Sequence, residues 1–207
     1  MYATRVIPRR LAALFFVGVL AGEAAAVPIP GRVDAAAALK PGVLLYAAPG
    51  LPEPNFAKTV ILLLEHGSSG SMGLVLNVPS ERSLETALDL KAGAFGADVP
   101  VYWGGPVEQK VVLALVRSRP MLGRGTSVKD ISIARDLEEV RSALADAGGR
   151  TRVRVFSGYA GWDPGQLATE VRGGYWVIDQ ADAATVFTSE PSRLWERVYE
   201  ILKRVMA

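Results

Sequence analysis

The sequence predicts a single α+β domain with a mixed β-sheet flanked by helices. Half of the 207 residues are apolar, which suits one domain with a buried core. Candidate strands and helices are intermixed without the regular alternation that builds a doubly wound sheet or a TIM barrel. Frequent glycine and proline, 21 and 13 residues, predict many turns between short elements.

The first part of the domain predicts strands joined by tight turns. Residues 43–47 read as a strand, and three prolines make residues 49–55 a loop. Residues 59–64 (TVILLL) are continuously apolar, which is typical of a strand covered on both faces. The turn at 67–70 and a strand at 73–76 complete a hairpin with it.

A short helix and two further strands follow. Ser83 can cap a helix with an apolar face over residues 84–88. Residues 99–103 and 111–116 read as strands, and the Gly-Gly-Pro turn at 104–106 separates them. A polar loop precedes the next element.

The second half continues the mixture. Ile131 and Ile133 alternate as in a half-buried strand. Asp136 and Glu139 form a capping box that opens a helix, and Gly148-Gly149 closes it.

The segment after the strand at 152–156 predicts a second helix start. Asp163 is the expected N-cap, Pro164 the first helical residue, and Gln166 can reach back to the Asp163 amide. The remaining predicted elements are a helix end at 173–174, a strand at 175–178 and a final helix from about residue 191.

The N-terminus has the three parts of an export signal. Arginines precede an apolar stretch, and an A-x-A motif follows it. We expect a signal peptide over residues 1–26, a linker over 27–38 and a domain over 39–207 that is periplasmic or secreted. The alternative is a misassigned start and a cytoplasmic protein. Arg9-Arg10 leaves the general and the twin-arginine pathways both open.

The charge of the expected mature chain disfavours nucleic acid as a partner. The whole chain has a formal charge of +2, and residues 1–26 contain three arginines and one glutamate. Their removal leaves a neutral domain, which has no net field to attract phosphate backbones. After residue 26 no apolar run is long enough to span a bilayer.

The sequence carries no motif for a metal or a cofactor, and none is expected. There is no P-loop, residues 123–128 (GRGTSV) break the dinucleotide fingerprint, and residues 67–71 lack the last glycine of a nucleophile elbow. One histidine and no cysteine cannot build a typical zinc site. Missing cysteine also excludes disulfides and a lipidation site.

Glu65 and His66 are the clearest candidates for proton chemistry. The pair could transfer protons or activate Ser68, Ser69 or Ser71. Neighbours in a strand point to opposite faces, however, so that the two side chains do not converge by position alone, and in the alternative interpretation His66 simply caps the hairpin.

Two aromatic or glycine-rich segments each have two interpretations. Gly104 and Gly105, next to Glu108, allow a ligand to approach the backbone, or they form a tight reversal with positive φ. Tyr159 and Trp162 could line a pocket for a flat or anionic ligand, or they could seal the core at a strand-to-helix turn.

The chain resembles the AlgH/YqgE family over residues 39–202. The resemblance rests on four segments in order: LKPGVLLYAAPGLPEPNFAKTVILLLEH (39–66), GSMGLVLNVP (70–79), VYWGGPVE (101–108) and GYAGWDPGQLATEV (158–171). It implies a compact α+β domain whose strongly bent, bifurcated sheet closes into a partial barrel. It implies no catalytic residue or cofactor, and one namesake is linked to the regulation of alginate production.

The chain departs from the family pattern at three places. Val78 stands where an Arg usually precedes the proline, and residues 108–116 lack the usual Arg-Gly-Phe and the terminal His. The expected signal peptide differs from a family that looks cytosolic. A transcriptional role does not transfer to an exported protein.

Three functions therefore remain open. The first is a non-catalytic envelope binding or accessory domain for a small molecule or a protein. The second is a hydrolase using His66 with a serine or carboxylate, and the third is a cytosolic regulator. The candidate binding residues are Glu65, His66, Asn77, Gly104, Gly105, Glu108, Tyr159, Trp162 and Gln166.

Overall fold

The described residues form an open, mixed sheet of nine strands with five α-helices. The computed structural model describes residues 35–91, 93–95, 99–117, 128, 130–146 and 153–206. The predicted signal peptide, the linker up to residue 34, the loop at 118–127 and the Gly148-Gly149 helix end lie outside the described residues.

The helices and strands occur in the following order. They are β1 (Val43–Ala47), β2 (Val60–Gly67), β3 (Gly70–Val75), β4 (Pro79–Ser83), α1 (Leu84–Ala87), β5 (Pro100–Trp103), β6 (Val107–Arg117), β7 (Ile131–Ala134), α2 (Leu137–Asp146), β8 (Val153–Trp162), α3 (Gln166–Arg172), β9 (Trp176–Gln180), α4 (Ala183–Val186) and α5 (Leu194–Met206). Short 3-10 turns cover Ala35–Ala38, Pro54–Phe56 and Pro191–Arg193.

Strand β8 is the branch point of the sheet. The main path runs β4-β5-β8-β3-β2-β1-β9, and β6 pairs with both β8 and β7. The first half of β8 lies between β5, which is parallel to it, and β6, which is antiparallel. Its second half pairs with β3. The predicted α+β class and the bifurcated sheet are confirmed, and the described strands do not close into a barrel.

Three glycines permit the backbone crossing at this branch. A Cβ atom on Gly104 would lie 2.2 Å from the carbonyl oxygen of Gly158, and one on Gly105 would lie 2.2 Å from the carbonyl carbon of Tyr159. Gly158 also has a positive φ of 73°. Any side chain at 104 or 105 would therefore push the two chain segments apart.

Both faces of the sheet are covered, as the apolar run at 59–64 predicts. In β2, Leu62 belongs to one core cluster, while Ile61 and Leu63 belong to another on the opposite face. Helix α5 contributes Leu194 to the first cluster, and α3 contributes Leu167 to the second. A third cluster, which contains Val140 of α2, fills the space beside β5 and β6.

Most predicted elements are confirmed, and the structure differs from the prediction in four places. The segment 157–162 is the second half of β8, not a turn. Strand β4 and helix α4 were not predicted. The predicted Asp163 N-cap is wrong, because α3 begins at Gln166 and its N-cap position is taken by Gly165 with a left-handed φ of 78°.

Caps at two other helices follow the prediction. The hydroxyl of Ser83 accepts a hydrogen bond from the Thr86 amide at the start of α1. The carboxylate of Asp136 accepts one from the Glu139 amide at 2.8 Å. Glu139 reaches back one residue further than a standard capping box, to the Arg135 amide at 2.7 Å.

Candidate functional site

Glu65 and His66 point to opposite sides of the sheet. A bulge between Leu63 and Glu65 sets the register, so that Glu65 lies opposite Met72 and His66 opposite Ser71. Glu65 is exposed and pairs with Arg135, whose Nη1 lies 2.8 Å from its Oε1. The two candidates therefore belong to different surroundings, as neighbouring strand residues do.

The side of Glu65 brings together three predicted residues from three segments. Tyr159 on β8 lies opposite Val107 at the start of β6 and is buried, with 4% of its surface exposed. Burial raises the pKa of the Tyr159 phenol, and the negative charges of Glu108 and Glu65 raise it further. We call Glu65, Glu108, Tyr159 and Arg135 the acidic surface.

Glu108 has an unusual backbone at this surface. It has a φ of 44° in the irregular stretch of β6 between Val107 and Val112, although it is not a glycine. A left-handed conformation costs an ordinary residue about 1–2 kcal/mol. The Glu108 side chain is exposed, so no burial of this side chain offsets the cost of the left-handed backbone. Strain of this kind concentrates at functional positions.

The opposite side of the same strands is closed by aromatic rings. Trp162 and Trp176 are buried, with 3% and 2% of their surfaces exposed. Their rings are arranged edge to face, with the ring centres 6.0 Å apart. The Phe56 ring stacks on that of Trp162, with the ring centres 6.4 Å apart, and its centre lies 6.1 Å from that of Trp103. We call these four rings, together with Glu170, the aromatic corner.

Glu170 supplies the polar centre of the aromatic corner. Its Oε2 accepts hydrogen bonds from the indole N–H groups of Trp162, at 2.9 Å, and Trp176, at 2.8 Å. Its Oε1 accepts one from Gln166 at 2.8 Å. Gln166 in turn accepts from the Asp163 amide at 3.0 Å, which is the reach-back that the sequence predicts. Each carboxylate oxygen has a donor, so this side supports a structural role for Trp162 and Gln166.

Glu170 was missed by sequence reasoning, although a signal was present. It lies four residues after Gln166 on the same helix, the spacing at which side chains meet. Trp162 and Trp176 lie on β8 and β9, which are not neighbours in the sheet, so their approach depends on the tertiary structure and not on a local sequence pattern.

The other predicted residues are engaged with the main chain. Asn77 is buried; its Oδ1 accepts from the Val60 amide, and its Nδ2 donates to the Lys58 carbonyl, both at 2.8 Å. Gly104 and Gly105 lie at the backbone crossing. These three residues are therefore not part of the acidic surface.

His66 forms a hydrogen bond with a serine. Its Nδ1 lies 2.7 Å from the Oγ of Ser71, and Ser71 has 3% of its surface exposed. Among the described residues, the His66 ring has no hydrogen bond to a carboxylate. The pair is a dyad of a base and a hydroxyl without the acid that orients the base in a catalytic triad.

The described residues contain neither a metal-ligand cluster nor a membrane-spanning helix. No three His, Cys, Asp or Glu side chains in this part of the chain are close enough to hold a metal ion. None of the helices described in it is long and apolar enough to cross a membrane.

Similar proteins cover most of the chain. A family model described as AlgH-like matches residues 44–206. A UPF0301 protein of Chlorobaculum tepidum is 38% identical over 162 residues, which are 77% of this chain and 84% of that protein. A UPF0301 protein of Streptomyces avermitilis is 36% identical over 173 residues, 79% and 85% of the two chains. The names of these relatives state no activity.

Two solved structures have the same fold. The solution structure of the AlgH protein from Pseudomonas aeruginosa is 32% identical, with a TM-score of 0.61, and the match covers 79% of this chain and 87% of that one. A crystal structure of a Corynebacterium diphtheriae protein is 25% identical, with a TM-score of 0.59 and coverage of 76% and 84%.

Proposed function

The chain belongs to the AlgH-like family, and from this premise we propose that it is a non-catalytic binding domain of the cell envelope. Its ligand is a small molecule or a protein, recognised at the acidic surface. One observation carries the proposal: the strand register brings three segments distant in the sequence together there, and one of them holds an exposed glutamate at a positive φ.

The charges of the acidic surface favour a ligand with a cationic group. Arg135 pairs with Glu65, whereas Glu108 has no ion pair among the described residues, so its negative charge is left for a ligand. The Tyr159 phenol is protonated at neutral pH, and its raised pKa moves its ionisation further from that pH, so it is a hydrogen-bond donor. A primary amine matches the two carboxylates, and an acceptor next to it would match the phenol.

The binding proposal is tested with primary amines and lysine-containing peptides on the full-length chain. We expect at least one of them to raise the melting temperature, since a ligand of the folded state stabilises it by mass action. Glu108→Gln should weaken the binding of that ligand about tenfold or more, because one charge-assisted contact is lost.

Glu81→Gln is the matched control for this experiment. Glu81 is an exposed glutamate on β4, at the far edge of the sheet. Its substitution should leave binding unchanged. The proposal fails if no amine stabilises the protein, or if both substitutions weaken binding equally.

Export to the envelope is the second part of the proposal. It is supported by the order of positive, apolar and A-x-A segments in residues 1–26. N-terminal sequencing of protein extracted from the envelope should begin at Val27. Intact Met1 in the cytosolic fraction would favour the alternative, a cytosolic regulator.

A hydrolase is the second candidate function, because His66 contacts Ser71. The dyad predicts that a fluorophosphonate labels Ser71, whereas the binding proposal predicts no labelling of a hydroxyl this deeply buried. Labelling of the intact chain that disappears in Ser71→Ala would favour the hydrolase.

A further inference from the structure

Arg154 is a charged residue inside the core, away from the acidic surface. It lies on β8 with 8% of its surface exposed, and its guanidinium lies over the ring of Tyr102, 5.0 Å from the ring centre. Its Nη2 donates a hydrogen bond to the carbonyl oxygen of Thr188. Its Nη1 is buried and has no hydrogen-bond partner among the described residues.

In the described part of the chain, the guanidinium of Arg154 lacks the usual counter-charge of a buried arginine. Buried arginines are normally paired with a carboxylate, because an isolated charge is costly to remove from water. Among the described residues Arg154 has no such pair. Burial lowers the pKa of its guanidinium, while Tyr102 raises it. Arginine nevertheless stays protonated at neutral pH, so the positive charge persists.

The neighbouring segment between α4 and α5 adds further positive charge. The Thr188 side chain accepts a hydrogen bond from Arg197 at 2.8 Å, so Arg154 and Arg197 bind the same residue. Glu190 is shared between Arg193 and Arg197, at 3.6 Å and 3.7 Å. Two guanidinium groups, those of Arg193 and Arg197, thus share the Glu190 carboxylate, and Arg154 adds a third positive charge at Thr188.

We propose that Arg154 is the centre of an oxyanion-binding site, in which Nη1 donates to an oxygen of a phosphate or carboxylate group. The ring of Tyr102 holds the guanidinium plane, and the bond to Thr188 fixes its rotation. The planar fork of an arginine is suited to such oxygens. The site is independent of the acidic surface, which favours ligands of the opposite charge.

The test measures the melting temperature of the full-length chain in inorganic phosphate, acetate and chloride at equal ionic strength. We expect phosphate or acetate to raise it more than chloride does, by about 5–10 °C at a hundredfold excess over Kd. A response to phosphate alone would identify a phosphate group as the ligand, and a response to acetate a carboxylate.

Two substitutions assign the response to Arg154. Arg154→Met should abolish it, whereas Arg141→Met should keep it. Arg141 is a matched control, because its guanidinium also lies over a ring, that of Phe95 at 4.6 Å, but it is exposed and its Nη1 donates to the Ala94 carbonyl.

The conservative variant Arg154→Lys keeps the proposal testable if the methionine variant does not fold. It retains the positive charge without the planar fork of the guanidinium, and it should weaken anion binding about tenfold. The proposal is overturned if Arg154→Met or Arg154→Lys responds like the parent. It is also overturned if no oxyanion exceeds chloride, in which case a buried water satisfies Nη1.

Discussion

The aromatic corner and the acidic surface lie on opposite sides of the same strands, and they are built in opposite ways. In the corner, Trp162 is buried and its N–H is bonded to Glu170. On the acidic surface, Glu108 is exposed and its backbone is strained. The comparison indicates that one side is optimised for stability, while the other retains features that cost stability and suit a ligand.

The largest expected change in stability comes from a substitution that disrupts the aromatic corner. Trp162→Ala should destabilise the protein by about 3–5 kcal/mol, because it leaves a cavity and removes an indole donor from Glu170. Trp103→Ala should cost clearly less, since Trp103 is half-buried. Denaturant unfolding of both variants checks this, and a Trp162→Ala midpoint equal to that of the parent would show that the corner is not structural.

A smaller effect is expected from the polar centre of the corner. Glu170→Ala leaves the indole N–H groups of Trp162 and Trp176 without an acceptor inside the core. Losing a partner for a buried donor costs about 1–3 kcal/mol. Glu170→Gln retains an acceptor oxygen and should cost less. Equal stability of the parent and Glu170→Ala in urea would contradict the assigned role.

The smallest effect distinguishes two aspartates near helix starts. Asp182→Ala should cost about 1 kcal/mol, because its carboxylate accepts from the Thr185 amide at 2.8 Å. Asp163→Ala should change stability by less than about 0.5 kcal/mol, because the bond to Gln166 uses the Asp163 amide. Thermal unfolding of the pair would refute this account if Asp163→Ala cost as much as Asp182→Ala.

Local patterns predict the elements whose neighbours in sequence determine them. The apolar run at 59–64 and the cap at Ser83 depend on adjacent residues, and both are confirmed. The second half of β8 contains Gly158 and Gly161, which are poor strand formers. It is a strand because it pairs with β3, and such long-range pairing overrides local propensity.

The candidate site likewise combines residues that local patterns identify with a proximity that long-range pairing creates. The sequence identifies Glu65, Glu108 and Tyr159 as candidates, but their proximity depends on the register of β6 on β8 at the branch. The bulge near Leu64 decides which side of the sheet Glu65 takes. Arg135 was not a candidate, because it lies seventy residues from Glu65 in the sequence.

The contrast between the two sides is tested most directly by replacing strained residues with glycine. Glu108→Gly and the control Lys58→Gly both relieve a positive φ, 44° and 58°. Glu108→Gly should be stabilised by about 0.5–1 kcal/mol after the entropic cost of glycine. Lys58→Gly should gain less, because it also loses the contact of the Lys58 ammonium with the Trp195 ring, 5.8 Å from the ring centre. Lys58 precedes β2, at the end opposite to Glu65, so only Glu108→Gly should lose binding of the amine found in the screen.

The deciding measurement is therefore unfolding and amine binding on the same two glycine variants. The account predicts that Glu108→Gly is at least as stable as the parent and binds the amine at least about tenfold more weakly. Lys58→Gly should bind like the parent. A Glu108→Gly variant that is less stable, or that binds the amine as tightly as the parent, would contradict the claim that strain at Glu108 serves recognition.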